Sequence, residues 1–497
     1  MGRGRQVFEP VLSERGKRVM EDYPTLAALR QHDRRGIDRI IKVVEDCTEF
    51  NRRYAGPIAL EVDERIGREP DYFNWDVIKA GCQYRLLSIP IPEGVGGLAG
   101  RYPVTTAVLA LEELCSTCSG IGVVFGAHSL GVLPLLTSGA MAHWDTVLHE
   151  IVTEEKKGNP VIMAYAITEP SAGTDVEEPE FLAVGKIGME AKRTKGGYVL
   201  NGRKCFISNG REAKYITLTA ALDRNRPLET WTTFLIDRDM PGYSTPRVEI
   251  KMGQRATHAT ELLFEDVFVP DSHVLGYPGD GMSNGILMVM AASRSPIAAI
   301  ATGIARGAYE HFLAWAHTTR NGHKPIEEER ICMAAADMNA MMAQNRSLFV
   351  NAALAADSAF GKIFTSPLIK STYLTPRPIR ASKPVFSLLT SKYGKAFVNG
   401  VFRFFVSDED MTYFLAMASM AKFASSDNAM RITSRALELM GADDSEHRRW
   451  VEKCFRDAKL TQIYEGTNQL NRLCLYASHI SRELTVEVPH PFKAEVI

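Results

Sequence analysis

The chain has 497 residues, enough for two or three domains that each bury a core. Apolar residues make up 45% and charged residues 24%, the balance of a soluble globular protein, which excludes a disordered or fibrous chain. A net charge of -1 gives no global pull toward nucleic acid or an anionic membrane.

In chain order, the first segment, Met1 to Gln6, carries two arginines but no apolar run, because Glu9, Glu14 and Lys17 follow at once. A secretory signal is therefore not expected, and neither Gly2 nor Ala494 to Ile497 fits a lipidation or sorting address. After an N-terminal extension (1–35), helical spacing of Ile37, Ile40, Ile41 and Val44 opens a helical domain over 36–160, with a second such face from Thr105 to Cys118. Pro and Gly residues between Ile89 and Gly97 predict a loop. Leu114 to His143 has no Asp, Glu, Lys or Arg, yet Ser, Thr, Gly, His128 and Pro134 interrupt it, which points to buried helices and no membrane insertion. Cys115 and Cys118 have no second Cys/His pair at metal spacing, so no metal site is expected. Scattered thiols of this kind suit a reducing, cytoplasmic setting.

The period changes at Val161. Over 161–275, short β-rich runs such as Tyr215 to Thr219 and Thr232 to Ile236 alternate with turns such as Asn201-Gly202, predicting an antiparallel β-domain. Helical spacing returns over 276–497: Pro296 suits a first helical position, Ile297, Ile300, Ile304, Ala308, Phe312 and Trp315 form one stripe, and further helices are read at Cys332 to Phe349 and Met417 to Met440. The fold class is thus α+β multidomain, helical, then antiparallel β, then helical bundle.

Two strings carry chemistry. Gln462 to Leu470 sets a lone carboxylate, Glu465, beside Gly466, between Tyr464 and a run of amide and hydroxyl groups, a setting for a general base; a helix-capping glutamate is the plainer alternative. Ala166 to Asp175 packs hydroxyls and free backbone N–H groups into one turn, which suits an anionic cofactor. With Pro92 to Gly97, Asn201 to Gly210, Met252 to Arg255, Phe264 to Pro270 and Phe455 to Gln469, these strings resemble the acyl-CoA dehydrogenase family of FAD flavoproteins in order and spacing, over roughly Gly36 to Arg482.

The resemblance implies α,β-dehydrogenation of an acyl-CoA thioester to the 2,3-enoyl-CoA. Glu465 would take the α-proton while hydride goes to flavin N5. Gly466 and Arg294 would contact substrate. Tyr165, Ile167, Thr168, Gly173, Thr174, Phe206, Ser208, Arg320, Thr467 and Gln469 would hold FAD. Some relatives place the base just before the arginine that is Arg294 here; this chain has Ser293, which cannot serve. The resemblance also implies a homotetramer or homodimer and reoxidation by an electron-transfer flavoprotein. An oxidase that uses oxygen, or a flavin-bearing binding protein without turnover, are the alternatives.

The chain departs from the family in three places. Thr319 to Lys324 stands where Arg-x-x-Phe-Gly is usual, and Glu438 to Asp444 stands where Gln-x-x-Gly-Gly-x-Gly is usual. The acids Glu438, Asp443 and Asp444 would repel a pyrophosphate, so either they point away or the inter-subunit half of the flavin site is rebuilt. An insertion at about 356–413 carries Lys362, Lys370, Arg377, Arg380, Lys383, Lys392, Lys395 and Arg403 against Asp357 alone before Asp408. It reads as a solvated loop or oligomer contact, with phosphate binding as the sharper hypothesis. Such an insertion favours an uncommon acyl group: cyclic, aromatic or carboxylated.

Overall fold

The computed structural model describes residues 21–480 apart from 320–321, 368–369, 371–372 and 374, and only the backbone of 174–175, 180, 284, 399 and 401–403. The helices that bear on the site and its surroundings include α1 (Arg34–Phe50), α2 (Pro103–Thr137), α3 (Met288–Ala316), α4 (Glu329–Thr365), α5 (Lys383–Thr390), α6 (Lys392–Phe405), α7 (Asp408–Met440), α8 (Glu446–Thr461) and α9 (Asn468–Leu475). Between α2 and α3 lie the strands β1 (Met163–Ala166), β2 (Glu190–Thr194), β3 (Gly197–Ser208), β4 (Tyr215–Ala221), β5 (Trp231–Asp237), β6 (Tyr243–Val248), β7 (Ala259–Pro270) and β8 (Val274–Leu275). The α, then β, then α order follows the sequence periods.

The strands form one sheet in the order β6-β7-β3-β2-β4-β5-β8, with β1 added beside β4. Most neighbours are antiparallel, as the turns predict, but β1 and one residue pair of β2 run parallel to β4, so the sheet is mixed. Alternation along one strand does not reveal the direction of its neighbour. Between Lys204 and Ile207 the β3–β7 register slips, and Phe206 there takes φ +57°. A bulge of this kind turns one side chain out of the sheet.

Helix lengths exceed the sequence expectation. The helix read over Cys332 to Phe349 continues to Thr365, because Val350, Ala353, Ala356 and Phe360 keep one buried face, and the helix read from Met417 begins at Asp408, where Ser407 and Asp410 cap each other. Pro296 lies inside α3 instead of at its start; burial on both sides holds the helix through the missing N–H. α2 and the segment Gly281–Ala316 are long and apolar enough to span a bilayer, but their most apolar windows are 78% and 89% buried inside the protein. Their apolarity is that of a core. Cys115 and Cys118 are buried in it, and burial raises both thiol pKa values, so neither is a reactive thiolate.

α2 and α3 pack face to face at short range. A Cβ at Gly303 would overlap the Glu112 carbonyl, and one at Gly307 the Ser116 carbonyl. Beside this contact a buried charge cluster joins four parts of the chain: Glu112 takes Arg306 at 3.2 Å and Arg346 at 2.8 Å, Tyr23 donates its hydroxyl to Glu112, and Arg306 also pairs with Glu113. Asp457 on α8 ties the sheet domain to the bundle, accepting from Ser119 Oγ (2.7 Å), Lys453 Nζ (2.6 Å) and the Gln254 backbone N–H. Replacing Gly307 by Ala is expected to lower stability by about 1–3 kcal/mol, since a backbone carbonyl cannot swing aside. Thermal unfolding checks this, and an unchanged midpoint would show that the helices part at no cost.

Candidate active site

A cavity of about 480 Å³ opens where α2, α3, α4, the first strands of the sheet and the turn between α8 and α9 meet. Glu465 stands in that turn, on the cavity wall. Glu465 and Gly466 both have positive φ, 56° and 75°, so one non-glycine residue is held in the left-handed region at a cost of about 1–3 kcal/mol. The surroundings impose it. Lys422 Nζ donates to the Gly466 carbonyl at 2.6 Å, Asn471 Nδ2 donates to the same carbonyl at 2.9 Å and to that of Glu465 at 3.2 Å, and Glu177 accepts the Gly466 N–H. A Cβ at position 466 would press on Glu177 and Asn471, so glycine is required there.

Ser293 Oγ donates to Glu465 Oε2 at 2.7 Å. Burial pushes the Glu465 carboxyl up to about 7 and the nearby Glu177 carboxylate adds to the rise, while the Ser293 bond, Arg294 and Lys422 pull it down. A carboxylate with such a value exchanges protons near neutrality and is a stronger base than one in water. This is far from the environment of a helix-capping glutamate; the cap of α9 is Thr467, whose hydroxyl accepts the Leu470 N–H.

Arg294 is fully buried and is not on the cavity wall. Its guanidinium donates to Ser419 (2.9 Å) and to Cys474 Sγ (3.4 Å), and it faces Glu177 at 3.4 Å and Glu178 at 3.6 Å. It thus stands behind the turn as a fixed charge, where a substrate contact was expected. Lys422, also fully buried, has its ammonium pushed down to about 7 by burial and by Arg294.

The same cavity is lined by Tyr165, Ile167, Thr168, Phe206 and Ser208. The Cys205 N–H donates to the Thr168 carbonyl at 2.9 Å, which sets the end of β1 beside the bulge of β3 and brings Thr168, Phe206 and Ser208 to one rim. Lys204 locks that junction: fully buried, it donates to the Ile167 carbonyl (2.7 Å) and to Glu169 (2.9 Å), whose other oxygen accepts from the Gly188 and Met189 N–H groups. Phe206 is 61% exposed although it borders a cavity. An outward-turned aromatic face flanked by two hydroxyls fits a planar, hydrogen-bonding ring such as isoalloxazine.

The remaining expected cofactor residues are more dispersed. Gly173 has open space around its Cα, Gln469 is exposed, and Thr467 is engaged in its cap. Arg320 and the Thr174 side chain lie outside the described residues. Of the acids in the departed glycine string, Asp443 accepts from Trp315 Nε1 (3.2 Å) and the Ser445 N–H (2.7 Å), and Glu438 pairs with Arg435 at 2.9 Å. Sequence reading missed Glu177 and Lys422 altogether. It also left unexplained the Met252 to Arg255 string, where Gln254 Nε2 donates to the Tyr464 hydroxyl at 3.1 Å, one residue before Glu465.

Three variants test this geometry. Glu169→Ala strands the Lys204 ammonium in the core and is expected to cost about 3–5 kcal/mol, read by chemical denaturation. Ser293→Ala removes a bond that favours the ionised carboxylate, so the acidic limb of the pH–rate profile moves to higher pH; Glu177→Gln removes a like charge, so the limb moves to lower pH. Shifts of the same sign in both would contradict the arrangement.

Profiles of the acyl-CoA dehydrogenase N-terminal, middle and C-terminal domains match residues 41–155, 164–267, and 279–372 with 398–479. The chain is 29% identical over 443 residues to cyclohexane-1-carbonyl-CoA dehydrogenase of Syntrophus aciditrophicus, covering 88% of this chain and 94% of that protein. It is 30% identical to cyclohex-1-ene-1-carbonyl-CoA dehydrogenase of Geobacter metallireducens, covering 85% and 92%. Its fold matches a chain in the solved structure of the electron transferring flavoprotein of Acidaminococcus fermentans with a TM-score of 0.69 and 25% identity, covering 90% and 98%. By these matches in sequence and fold, the chain belongs to the acyl-CoA dehydrogenase family.

Proposed function

We propose that this acyl-CoA dehydrogenase removes the α-proton of its thioester substrate with Glu465, giving the 2,3-enoyl-CoA. The carrying observation is a carboxylate raised to about 7, on the wall of a cavity that Thr168, Phe206 and Ser208 also line. Bound FAD supplies the hydride acceptor. Tyr165, Ile167, Thr168, Phe206 and Ser208 would hold its ring, and Gly173, Thr174, Arg320, Thr467 and Gln469 its pyrophosphate and adenosine end. Ser293 keeps one carboxylate oxygen occupied and so aims the other at the substrate. The Glu465 backbone N–H polarises the thioester carbonyl as negative charge develops there.

The acyl group is apolar and compact. α2 and α4 contribute Leu111, Val123, Ala127, Leu130, Leu133, Phe360 and Phe364 to the cavity, and no charged side chain from these two helices lines it. Lys251 and Lys459 also line the cavity but come from other segments, so the apolar wall built by α2 and α4 favours the cyclic reading without removing the carboxylated one. Two relatives named for cyclic acyl-CoA substrates support the same choice. A cytoplasmic homodimer or homotetramer that passes electrons to an electron-transfer flavoprotein completes the reading; peroxide formation in air would favour the oxidase alternative.

The test is anaerobic bleaching of the flavin by a panel of acyl-CoA thioesters, cyclohexanecarbonyl-CoA and butyryl-CoA among them. Wild type is expected to bleach with an acidic limb near pH 7, lost as the carboxylate is protonated. Glu465→Gln should bind flavin yet bleach about 10²–10⁴-fold more slowly. Normal turnover in that variant would remove Glu465 from the mechanism, and absence of bleaching by every thioester would favour a binding protein.

A further inference from the structure

The segment joining α4 to α7 does not hang in solvent as a loop. Arg380 pairs with Asp145 at 3.2 Å, Arg377 donates to the Asp145 carbonyl, and the Phe386 ring stands edge-on to His143. α6 is fastened by its inner face: Val398 is buried and Lys395 Nζ donates to the Val274 carbonyl at 2.7 Å. At about 100° per residue, Tyr393, Phe397 and Phe404 fall within roughly 40° of one another on the opposite side. They are 83%, 63% and 83% exposed. Gly394 brings α6 against the Leu388 carbonyl at the end of α5, and Leu388 is itself 62% exposed. Folded proteins seldom leave a row of large apolar side chains in water without an occupant.

Charge identifies the occupant. Residues 358–407 hold eight Lys and Arg and no Asp or Glu, so a near-neutral chain carries one strongly basic segment. Arg380 and Lys395 are engaged internally, whereas Lys370, Lys383 and Lys392 are exposed. A second copy docked face to face would bring these cations against their own kind. We propose that α5 and α6 form a docking surface for an anionic lipid bilayer, with Tyr393, Phe397, Phe404 and Leu388 entering the headgroup–acyl boundary and the lysines meeting lipid phosphates. α4, which supplies Phe360 and Phe364 to the cavity, precedes this surface in the chain. The enzyme would then act while seated on a membrane, with no helix crossing it.

Flotation of the flavin-loaded, full-length protein with vesicles tests this. Recovery with phosphatidylcholine–phosphatidylglycerol vesicles is expected to exceed that with phosphatidylcholine alone by about tenfold or more, and to fall with added salt. The combined substitution Tyr393→Ser, Phe397→Ser and Phe404→Ser should abolish flotation while leaving bleaching by acyl-CoA and gel-filtration volume unchanged. Lys383→Glu with Lys392→Glu should weaken flotation to anionic vesicles, a second route that leaves the apolar row intact. No flotation, equal recovery with neutral vesicles, or serine variants that float normally but elute as a smaller species would overturn the proposal, the last assigning the face to a second copy.

Discussion

Taking one carboxylate out of water governs the arrangement around it. Burial alone would neutralise Glu465 and make it useless as a base; full pairing with a cation would fix it as a weak one. The site avoids both outcomes by distance. Arg294 and Lys422 are buried in the protein behind the turn, Ser293 provides a neutral donor at 2.7 Å, and Glu177 adds a like charge from the side. Arg294 is itself compensated by Glu177 and Glu178, so its field at Glu465 is tempered. The outcome is a carboxyl group raised to about 7, which can both accept and release a proton near neutrality.

Such a balance needs the turn to be rigid, and rigidity comes from other domains. Gln254, in a loop of the sheet domain, reaches Tyr464, and its backbone N–H is held by Asp457 on α8. Lys204 and Glu169 fasten the rim that holds Thr168, Phe206 and Ser208. Several strings that mark the family in sequence are therefore joints between parts of the fold. Some of their side chains, Gln254 among them, also line the cavity.

The helical and strand periods were legible because burial of one face imposes them, and Glu465 was legible because its neighbours form a distinctive string. Strand direction and helix ends were less so: β1 beside β4 is a pairing set by distant partners, and α4 outran its expected end along a continuing apolar face. Ser293 could be rejected as a base from its chemistry, but its bond to a residue 172 positions away could not be read. Arg294 shows the converse. Its position in the pattern suggested substrate, while burial among Ser419, Cys474 and two glutamates makes it part of the frame. The basic insertion was recognised by composition alone; only the fold separates the cations used internally from those on the surface.

The close seam between α2 and α3 has a consequence for substrate choice. α2 supplies much of the apolar wall and α3 carries Ser293, so the two helices act as the jaws of a calliper, and Gly303 and Gly307 set its gauge. The size of acyl group that can enter is then decided partly where no ligand reaches. Broadening or narrowing the acyl repertoire could proceed through the seam, with every lining residue left as it is.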